Sequence, residues 1–273
     1  MALSYDEVDA LADYAQEHGV TFPLLSDPDH EIIERFGILN TLVDVDDHPW
    51  YGIPFPGTYV VDGDGTITAK FFENNLFLRA SSDQLLRSAL GEEIELEPLP
   101  ERPTEVLVDV AVGDDPVGVG VLHDLIVRFA VPEGLHLYGD PVPDGMVATS
   151  VDFDEDEGLV VRPAEFPATT EHTLAGTGEV LHIFEGDVTI RVPITHNGRS
   201  LQWRDDGSTY ITVAGTVRWQ ACDDDVCHLP QAHRFELELP ARPINMFERE
   251  RPEDSERMDF HKHFAKMSER RAT

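Results

Sequence analysis

The two residues of this chain best suited to redox chemistry are Cys222 and Cys227, its only cysteines, which are five positions apart. Alternating apolar and polar residues at 210–219 and 235–239 predict a strand on each side of the pair, the first of them broken at Gly215. The cysteines therefore lie in or beside a short connection between two strands.

The residues between the cysteines favour a turn, because aspartate is frequent in turns and three aspartates follow the first cysteine: Asp223, Asp224 and Asp225. A turn would shorten the roughly 16 Å that five extended residues span to the roughly 4.4–6.8 Å that a disulfide needs between Cα atoms. The three carboxylates should also raise the pKa of both cysteines, an effect that a protonated His228 would oppose. The pair is then a slow spontaneous nucleophile that reacts within a docked complex, or the aspartates are only a solvated turn.

Several kinds of chemistry remain open for a cysteine pair of this spacing. It can be a structural disulfide, a redox-active dithiol or two inert reduced thiols. It can also be a metal site completed by His228 and His233, although this histidine spacing fits no familiar zinc pattern.

The loop from Val217 to Pro230 resembles the cysteine loop of the amino-terminal domain of the thiol:disulfide interchange protein (DsbD) family. The shared pattern is an aromatic residue, here Trp219, then Gln-Ala-Cys, several polar residues, a second cysteine, an apolar residue and proline. The resemblance extends over about residues 106–240, including Gly-Leu-His-Leu-Tyr-Gly at 134–139 and the strand at 188–194.

This resemblance implies an immunoglobulin-like sandwich whose Cys222–Cys227 pair exchanges electrons with a thioredoxin-like protein or a membrane electron carrier. It also implies a loop that covers the cysteines with an aromatic residue, a position that Phe166 could fill. Trp219 and Tyr138 could line the same site, although a sandwich core uses such aromatic residues as well.

The composition is strongly acidic, with a net charge of −33. Such a surface repels nucleic acid and anionic lipid, so we expect no role on either. It indicates a salt-loving source, with partner binding through the acidic surface as the competing explanation. No apolar run is long enough to span a membrane, and the acidic start lacks a signal-peptide pattern. The expected compartment is the cytoplasm for the chain as given, or an extracytoplasmic one if the natural start lies upstream.

Residues 1–95 alternate helical and strand patterns. The first predicted elements are a helix at 5–18 that ends at Gly19 and a strand at 22–25. A second helix begins at Pro28 after an Asp27 cap and ends at Gly37. A hairpin of 58–61 and 66–72 around the turn 62–65 follows, and then a helix capped by Ser82 or Asp83 that ends at Leu90.

This order of elements, with the segments 19–28 and 51–62, resembles the carboxy-terminal part of a peroxiredoxin-like redoxin of the thioredoxin superfamily. The resemblance implies that Pro56, with Pro54 as second choice, is a cis proline that faces an active cysteine. The reactive-cysteine half of such a domain would precede residue 1, so we expect a truncated domain with open apolar faces and no thiol chemistry of its own.

The predicted fold class is thus α/β plus all-β, a truncated thioredoxin-like domain followed by an immunoglobulin-like antiparallel β-sandwich. The predicted parts are a partial redoxin domain at 1–95, an acidic proline-rich linker at 96–105, the sandwich with the cysteine pair at 106–240, and a polar tail with a sparse helical pattern at 241–273.

The predicted function is thiol–disulfide exchange without a metal or organic cofactor, in the manner of a thiol–disulfide oxidoreductase. The alternatives are a non-catalytic binding module with a structural disulfide and the remnant of a redoxin or peroxidase with a misassigned start. A reduction potential near −270 mV or above supports exchange, and one below about −300 mV supports a structural disulfide.

Overall fold

The computed structural model describes residues 1–43, 51–72, 78–173, 178–223 and 226–243. Strands dominate these residues, and helices are few. The chain divides into two compact units, of which the smaller contains the described residues 1–43, 51–58 and 70–72 and the larger contains the rest. The predicted tail beyond residue 243 lies outside the described residues, as do Asp224 and Asp225.

The smaller unit is built around two short parallel strands. Its elements are β1 (Ala2–Ser4), α1 (Val8–His18), β2 (Leu24–Ser26) and α2 (Glu31–Arg35). The next strands along the chain, β3 (Gly57–Val61) and β4 (Ile67–Phe72), form a two-stranded sheet of their own. Gly19 ends α1 in a left-handed conformation (φ 62°), as predicted. No residue of α1 is buried. The truncated thioredoxin-like domain with open apolar faces that was expected for 1–95 stays a prediction.

The start of α2 differs from the prediction. The helix begins at Glu31 after His30, so Pro28 precedes the helix and does not open it. The carboxylate of Asp27 still satisfies this helix start, because its Oδ2 accepts the backbone N–H groups of Ile32 (3.0 Å) and Ile33 (2.8 Å).

The described part of the larger unit consists of β-strands, one helix and the segments that connect them. Its elements are β5 (Arg79–Ala80), α3 (Ser82–Leu90), β6 (Leu107–Val112), β7 (Val117–Gly118), β8 (Val121–Ala130), β9 (His136–Tyr138), β10 (Ser150–Phe153), β11 (Leu159–Val161), β12 (Thr170–Thr173), β13 (Val180–Phe184), β14 (Asp187–His196), β15 (Gln202–Trp203), β16 (Thr209–Trp219), β17 (Ala221–Cys222) and β18 (Gln231–Arg242).

Two sheets of this unit enclose the main core. One has the order β10–β16–β18–β7 with β15 beside β16, and the other has the order β11–β14–β8–β5 with β6 beside β8. Every second residue of the long strands points into the space between the sheets, as Phe129, Ile190 and Val213 do, and all three are fully buried. The alternation in the sequence therefore predicted these strands correctly.

The expected strand break at Gly215 is wrong. Strand β16 runs through this residue without interruption and pairs with β10 and β18 on its two sides. A side chain at Gly215 would lie 2.6 Å from the Phe235 ring and against the carbonyl oxygen of Asp152. The glycine is therefore needed for close packing inside the sheet.

Helix α3, predicted as the last element of the first domain, packs in the larger unit. Ser81, not Ser82 or Asp83, caps it by accepting the Gln84 N–H. The buried carboxylate of Asp124 on β8 accepts a hydrogen bond from the Gln84 side chain (2.6 Å) and pairs with Arg87 (3.1 Å). Burying the Asp124 carboxylate without partners would be costly. Because its partners Gln84 and Arg87 belong to α3, the helix is held against the sandwich.

The predicted linker also lies along the sandwich. Arg191 of β14 pairs with Glu93 (2.7 Å), and the Arg128 guanidinium donates a hydrogen bond to the carbonyl of Glu97 (2.8 Å). These contacts hold residues 93–97 against β8 and β14, within the larger unit.

A third sheet, of the order β12–β13–β9–β17, carries the cysteine loop. Within the described ranges, no helix is long and apolar enough to cross a membrane.

Candidate functional site at the disulfide

Cys222 and Cys227 form a disulfide, with their Cα atoms 4.1 Å apart. The two residues face each other as an isolated antiparallel bridge, so the chain reverses direction between them. The reversal is stabilised by Asp223, whose N–H donates to the carbonyl of Val226 (3.0 Å) and whose carboxylate accepts the N–H of Val226 (2.6 Å). The predicted turn is confirmed at Asp223, and the predicted positions Asp224 and Asp225 lie outside the described residues.

The sheet that carries the disulfide has two different faces. Because side chains alternate along a strand, Leu137 and Ala221 point to one face and join the main core. Cys222 and Tyr138 point to the other face, where they form a second buried cluster with Leu181 and Ile183 of β13. The disulfide thus lies on the face turned away from the main core.

The two cysteines differ in exposure. Cys222 is 0 % exposed, whereas Cys227 is exposed. The residues on either side of Cys227 in this loop are also open to solvent, with Val226 57 % and Leu229 85 % exposed. A thiolate from another molecule can therefore reach Cys227, while Cys222 is shielded from direct attack.

Tyr138 contacts Cys227, the exposed cysteine. Its hydroxyl oxygen lies 3.3 Å from Sγ of Cys227, and either atom can act as the donor. Burial raises the pKa of Tyr138, so the phenol keeps its proton at neutral pH. In the reduced state this O–H can donate to a thiolate at Cys227 and so stabilise its charged form.

Gln220 joins the cysteine loop to the loop that covers the disulfide cluster. Its side chain is largely buried, accepts the N–H of Val147 (2.9 Å) and donates to the carbonyl of His228 (3.0 Å). Val142 and Met146, from the same covering loop, pack against the cluster around Cys222. One buried amide therefore holds both loops in place.

His136 occupies the position directly opposite Cys222 in the pairing of β9 with β17. Its side chain is 6 % exposed. The imidazole meets the ring of Tyr138 edge-on at 5.4 Å and stacks on His172 of β12 at 5.6 Å with an interplanar angle of 30°. An imidazole opposite Cys222 and a phenol in contact with Cys227 therefore lie at the disulfide, and a second imidazole stacks on the first.

Trp219 belongs to the main core and does not line the disulfide. It is 5 % exposed and packs edge-on against Phe129, with ring centroids 5.6 Å apart. As the last residue of β16 it continues the inward-facing positions of that strand. Of the two aromatic residues suggested to line the site, only Tyr138 contacts a cysteine in the described structure.

Phe166 lies on the other side of the small sheet. Its ring stacks on Phe184, with centroids 6.3 Å apart, and Phe184 pairs with Leu137 on the face of the main core. The expected role of Phe166 as an aromatic cover over the cysteines stays a prediction. Val142 and Met146 pack on the cysteine face.

The remaining predicted site residues have simpler positions. His228 is exposed, and its backbone N–H donates to the carbonyl of Ala221 (2.9 Å).

Among the described residues the single cis peptide bond precedes Pro141, so the cis bond expected before Pro56 is wrong. The trans form is the intrinsically favoured one for any X–Pro bond. The suggestion that Pro56 faces an active cysteine stays a prediction.

The described part of the chain contains no group of three or more side chains placed to hold a metal ion. His233, suggested as a ligand with His228, lies opposite Val217 in the pairing of β16 with β18. The geometry thus offers a disulfide with a phenol and imidazoles beside it, and no described ligand set.

Sequence reasoning assigned no role to His136 or Gln220. Both lie in segments that carry the DsbD-like resemblance, His136 in 134–139 and Gln220 in the cysteine loop, but a sequence motif does not reveal which residue lies opposite across a sheet. The pairing of β9 with β17 and the contact with Val147 identify them.

Comparison with known proteins supports both resemblances in the sequence. Residues 117–239 match the model of the family described as thiol:disulfide interchange protein DsbD, N-terminal. Residues 1–70 match the model of the AhpC/TSA family. The redoxin-like and DsbD-like resemblances are therefore confirmed. No curated protein matches the chain.

Two solved structures are similar to the chain. The N-terminal domain of Neisseria meningitidis DsbD in the reduced form is 17 % identical, with a TM-score of 0.33, and the match covers 52 % of this chain and 91 % of that one. The N-terminal periplasmic domain of ScsB from Proteus mirabilis is 12 % identical, with a TM-score of 0.34, and the match covers 53 % of this chain and 49 % of that one.

Proposed function

We propose that the larger unit performs thiol–disulfide exchange through Cys222 and Cys227, passing reducing equivalents to or from a thioredoxin-like partner. The observation that carries this proposal is the asymmetry of the disulfide, which joins an exposed cysteine to a fully buried one. The family match over 117–239 supports the same chemistry. An immunoglobulin-like character of the sandwich is part of the proposal.

The exchange needs only sulfur chemistry. A partner thiolate attacks Sγ of Cys227, the Cys222–Cys227 bond breaks, and the electron pair of that bond leaves on Cys222. The second thiol of the partner then loses its proton and attacks the partner's sulfur in the mixed disulfide, which releases Cys227 as a thiolate. The partner dithiol is oxidised and the cysteine pair is reduced, so no organic cofactor is required.

The surroundings favour attack at Cys227. Val226 and Leu229 offer exposed apolar contact area beside the sulfur. The Tyr138 hydroxyl can stabilise the thiolate released at Cys227, while the carboxylate of Asp223 opposes it. We expect the balance to make the reduced pair slow in free solution and faster in a docked complex.

A structural disulfide in a non-catalytic binding module is the second candidate. The observation that favours it is the clamp formed by Gln220, which fixes the cysteine loop to the neighbouring loop through two hydrogen bonds. A disulfide in so well held a loop could serve stability alone. The two functions differ in the reduction potential that they require.

The test is a redox titration of the full chain against defined ratios of reduced and oxidised dithiothreitol. Exchange predicts a potential of about −270 mV or higher, and a structural disulfide predicts one below about −300 mV. A mixed-disulfide assay with a thioredoxin as the probe completes the test, with Cys222→Ser and Cys227→Ser as variants. Both variants should fold and lose turnover, and unchanged turnover in either would exclude the exchange function.

For the smaller unit we propose a redoxin-like architecture, which the match to the AhpC/TSA family over residues 1–70 supports. For the compartment we propose an extracytoplasmic location over the cytoplasmic one, since disulfides persist in oxidising environments.

A further inference from the structure

We propose that His136 is the acid–base group for the buried sulfur of Cys222. In this role it gives a proton to the Cys222 thiolate when the disulfide opens and takes the proton back when the disulfide closes. The inference rests on the proposed exchange function and adds a residue that this function alone does not identify.

Cys222 and His136 are direct partners in the antiparallel pairing of β17 with β9. Side chains at directly opposed positions point to the same face, with Cβ atoms about 4.5–5.5 Å apart. Tyr138, two residues from His136, also points to this face, because it joins Cys222 in the buried cluster.

Cys222 needs a nearby proton donor when the disulfide opens. Cys222 is 0 % exposed, so a thiolate formed there is cut off from water, and burial alone strongly disfavours the charged form. The neighbours in its cluster are mainly apolar, namely Leu181, Ile183, Val142 and Met146. The Tyr138 hydroxyl in the same cluster is directed to the other sulfur, that of Cys227. His136 is therefore the described group best placed to supply a proton to Cys222.

The surroundings of the imidazole and its acid–base chemistry also suit this role. The titratable groups that face His136 include Tyr138 on its own strand, His172 on β12 and the cysteine pair at β17. Because the ordinary pKa of an imidazole lies near neutral pH, this type of side chain can give and take a proton there.

The proton transfers between His136 and Cys222 balance when the disulfide opens and when it closes. When a thiolate of the partner attacks Cys227, the Cys222 sulfur leaves with the bonding electron pair and takes a proton from the His136 imidazolium, which becomes neutral. In the reverse direction neutral His136 removes the proton from the Cys222 thiol. The resulting thiolate attacks Sγ of Cys227 in the mixed disulfide and expels the partner thiolate.

The test isolates the closing step, with glutathione as the probe. The reduced full chain is converted to the mixed disulfide of Cys227 with glutathione, and the release of glutathione by Cys222 is followed in a single turnover. We expect His136→Gln and His136→Phe to slow this release at least about tenfold at pH 7. His136→Phe keeps an aromatic ring at this position, so a loss in both variants reports the missing proton acceptor.

Two controls separate this role from a structural one. His172→Gln removes the neighbouring imidazole that does not oppose Cys222, and it should slow closure less than His136→Gln does. In a Cys222→Ser background, His136→Gln should leave the alkylation rate of Cys227 within about twofold, because that sulfur contacts Tyr138 instead. Closure at the native rate in both His136 variants overturns the proposal.

The native chain provides a further readout that does not depend on the variants folding. Its closing rate should depend on a group that titrates near the ordinary imidazole range, about pH 6.5, in addition to the thiol. A profile governed by one ionisation above about pH 8 overturns the role of His136 while leaving the exchange function intact. If the native mixed disulfide never closes, the exchange function itself falls, and the inference falls with it.

Discussion

The hydroxyl oxygen of Tyr138 lies 3.3 Å from Sγ of Cys227, while Cys222, the other half of the disulfide, is fully buried on the same face of the small sheet. The two residues therefore have different surroundings: Cys227 lies in an exposed loop with its sulfur against the Tyr138 hydroxyl, and Cys222 lies inside a largely apolar buried cluster. In the proposed exchange, this difference makes Cys227 the sulfur that a partner attacks and Cys222 the sulfur that leaves.

We expect the two thiols of the reduced chain to react at very different rates. Cys227 should be alkylated by iodoacetamide at least about tenfold faster than Cys222, because only Cys227 is exposed. Mass spectrometry of the peptide after timed alkylation measures both rates in one sample. Equal rates would show that the loop opens fully on reduction and that the asymmetry does not survive.

We expect Tyr138→Phe to raise the pKa of the Cys227 thiol by about one unit, since the variant removes the hydroxyl that can donate to the thiolate. Ultraviolet thiolate absorbance against pH measures this value in the Cys222→Ser background. Tyr210→Phe is the matched control, because its hydroxyl bonds the exposed side chain of Gln202. An unchanged thiol pKa in Tyr138→Phe would limit the tyrosine to packing.

We expect the three aspartates between the cysteines to hold the reactive thiol above its ordinary pKa of about 8.5. Replacing Asp223, Asp224 and Asp225 with asparagine should lower the pKa, and the side-chain amide introduced by Asp223→Asn keeps an acceptor for the Val226 N–H. The control removes the same charge from the β10–β11 connection by Glu155→Gln, Asp156→Asn and Glu157→Gln. If the thiol pKa does not fall, the acidic run is only a turn.

We expect Gln220→Ala to lower the free energy of unfolding by about 1–3 kcal/mol, because it leaves the Val147 N–H and the His228 carbonyl without this partner. Gln202→Ala is the control, since that side chain makes its hydrogen bonds at the exposed surface. Denaturant titration of the oxidised chains compares the two. Equal losses would indicate that the clamp on the cysteine loop contributes nothing special.

We expect the stability of the larger unit to fall as the pH drops below about 6.5. Burial lowers the pKa of His123, partly opposed by the carboxylates of Asp83, Asp115 and Asp124, and Arg242 lowers it further. The folded chain then binds this proton less readily than the unfolded chain, so the contribution is complete above the unfolded pKa and is lost as the pH falls towards the folded one.

His123→Gln should therefore make the unfolding free energy less dependent on pH between about 7 and 5. His18→Gln serves as the control, because that side chain is 41 % exposed on α1. Denaturant titrations at each pH give the comparison. A slope in His123→Gln equal to that of the native chain would contradict the prediction.

Local pattern in the sequence determined the strands and the turn that brings the two cysteines together. Alternation predicted β8, β14 and β16, and the aspartates after Cys222 predicted the reversal that brings Cys227 opposite it. These features depend on neighbours along the chain, through side-chain alternation and turn preference, so they can be deduced without knowing the fold.

Only the tertiary structure decided which distant residues surround the pair. The pairing of β9 with β17 placed His136 opposite Cys222, and the two faces of that sheet separated Tyr138 from Phe166. The buried Asp124 drew α3 into the larger unit, against the expected domain boundary. Strand register and the choice of face depend on packing between segments far apart in the chain, and local periodicity carries no information about either.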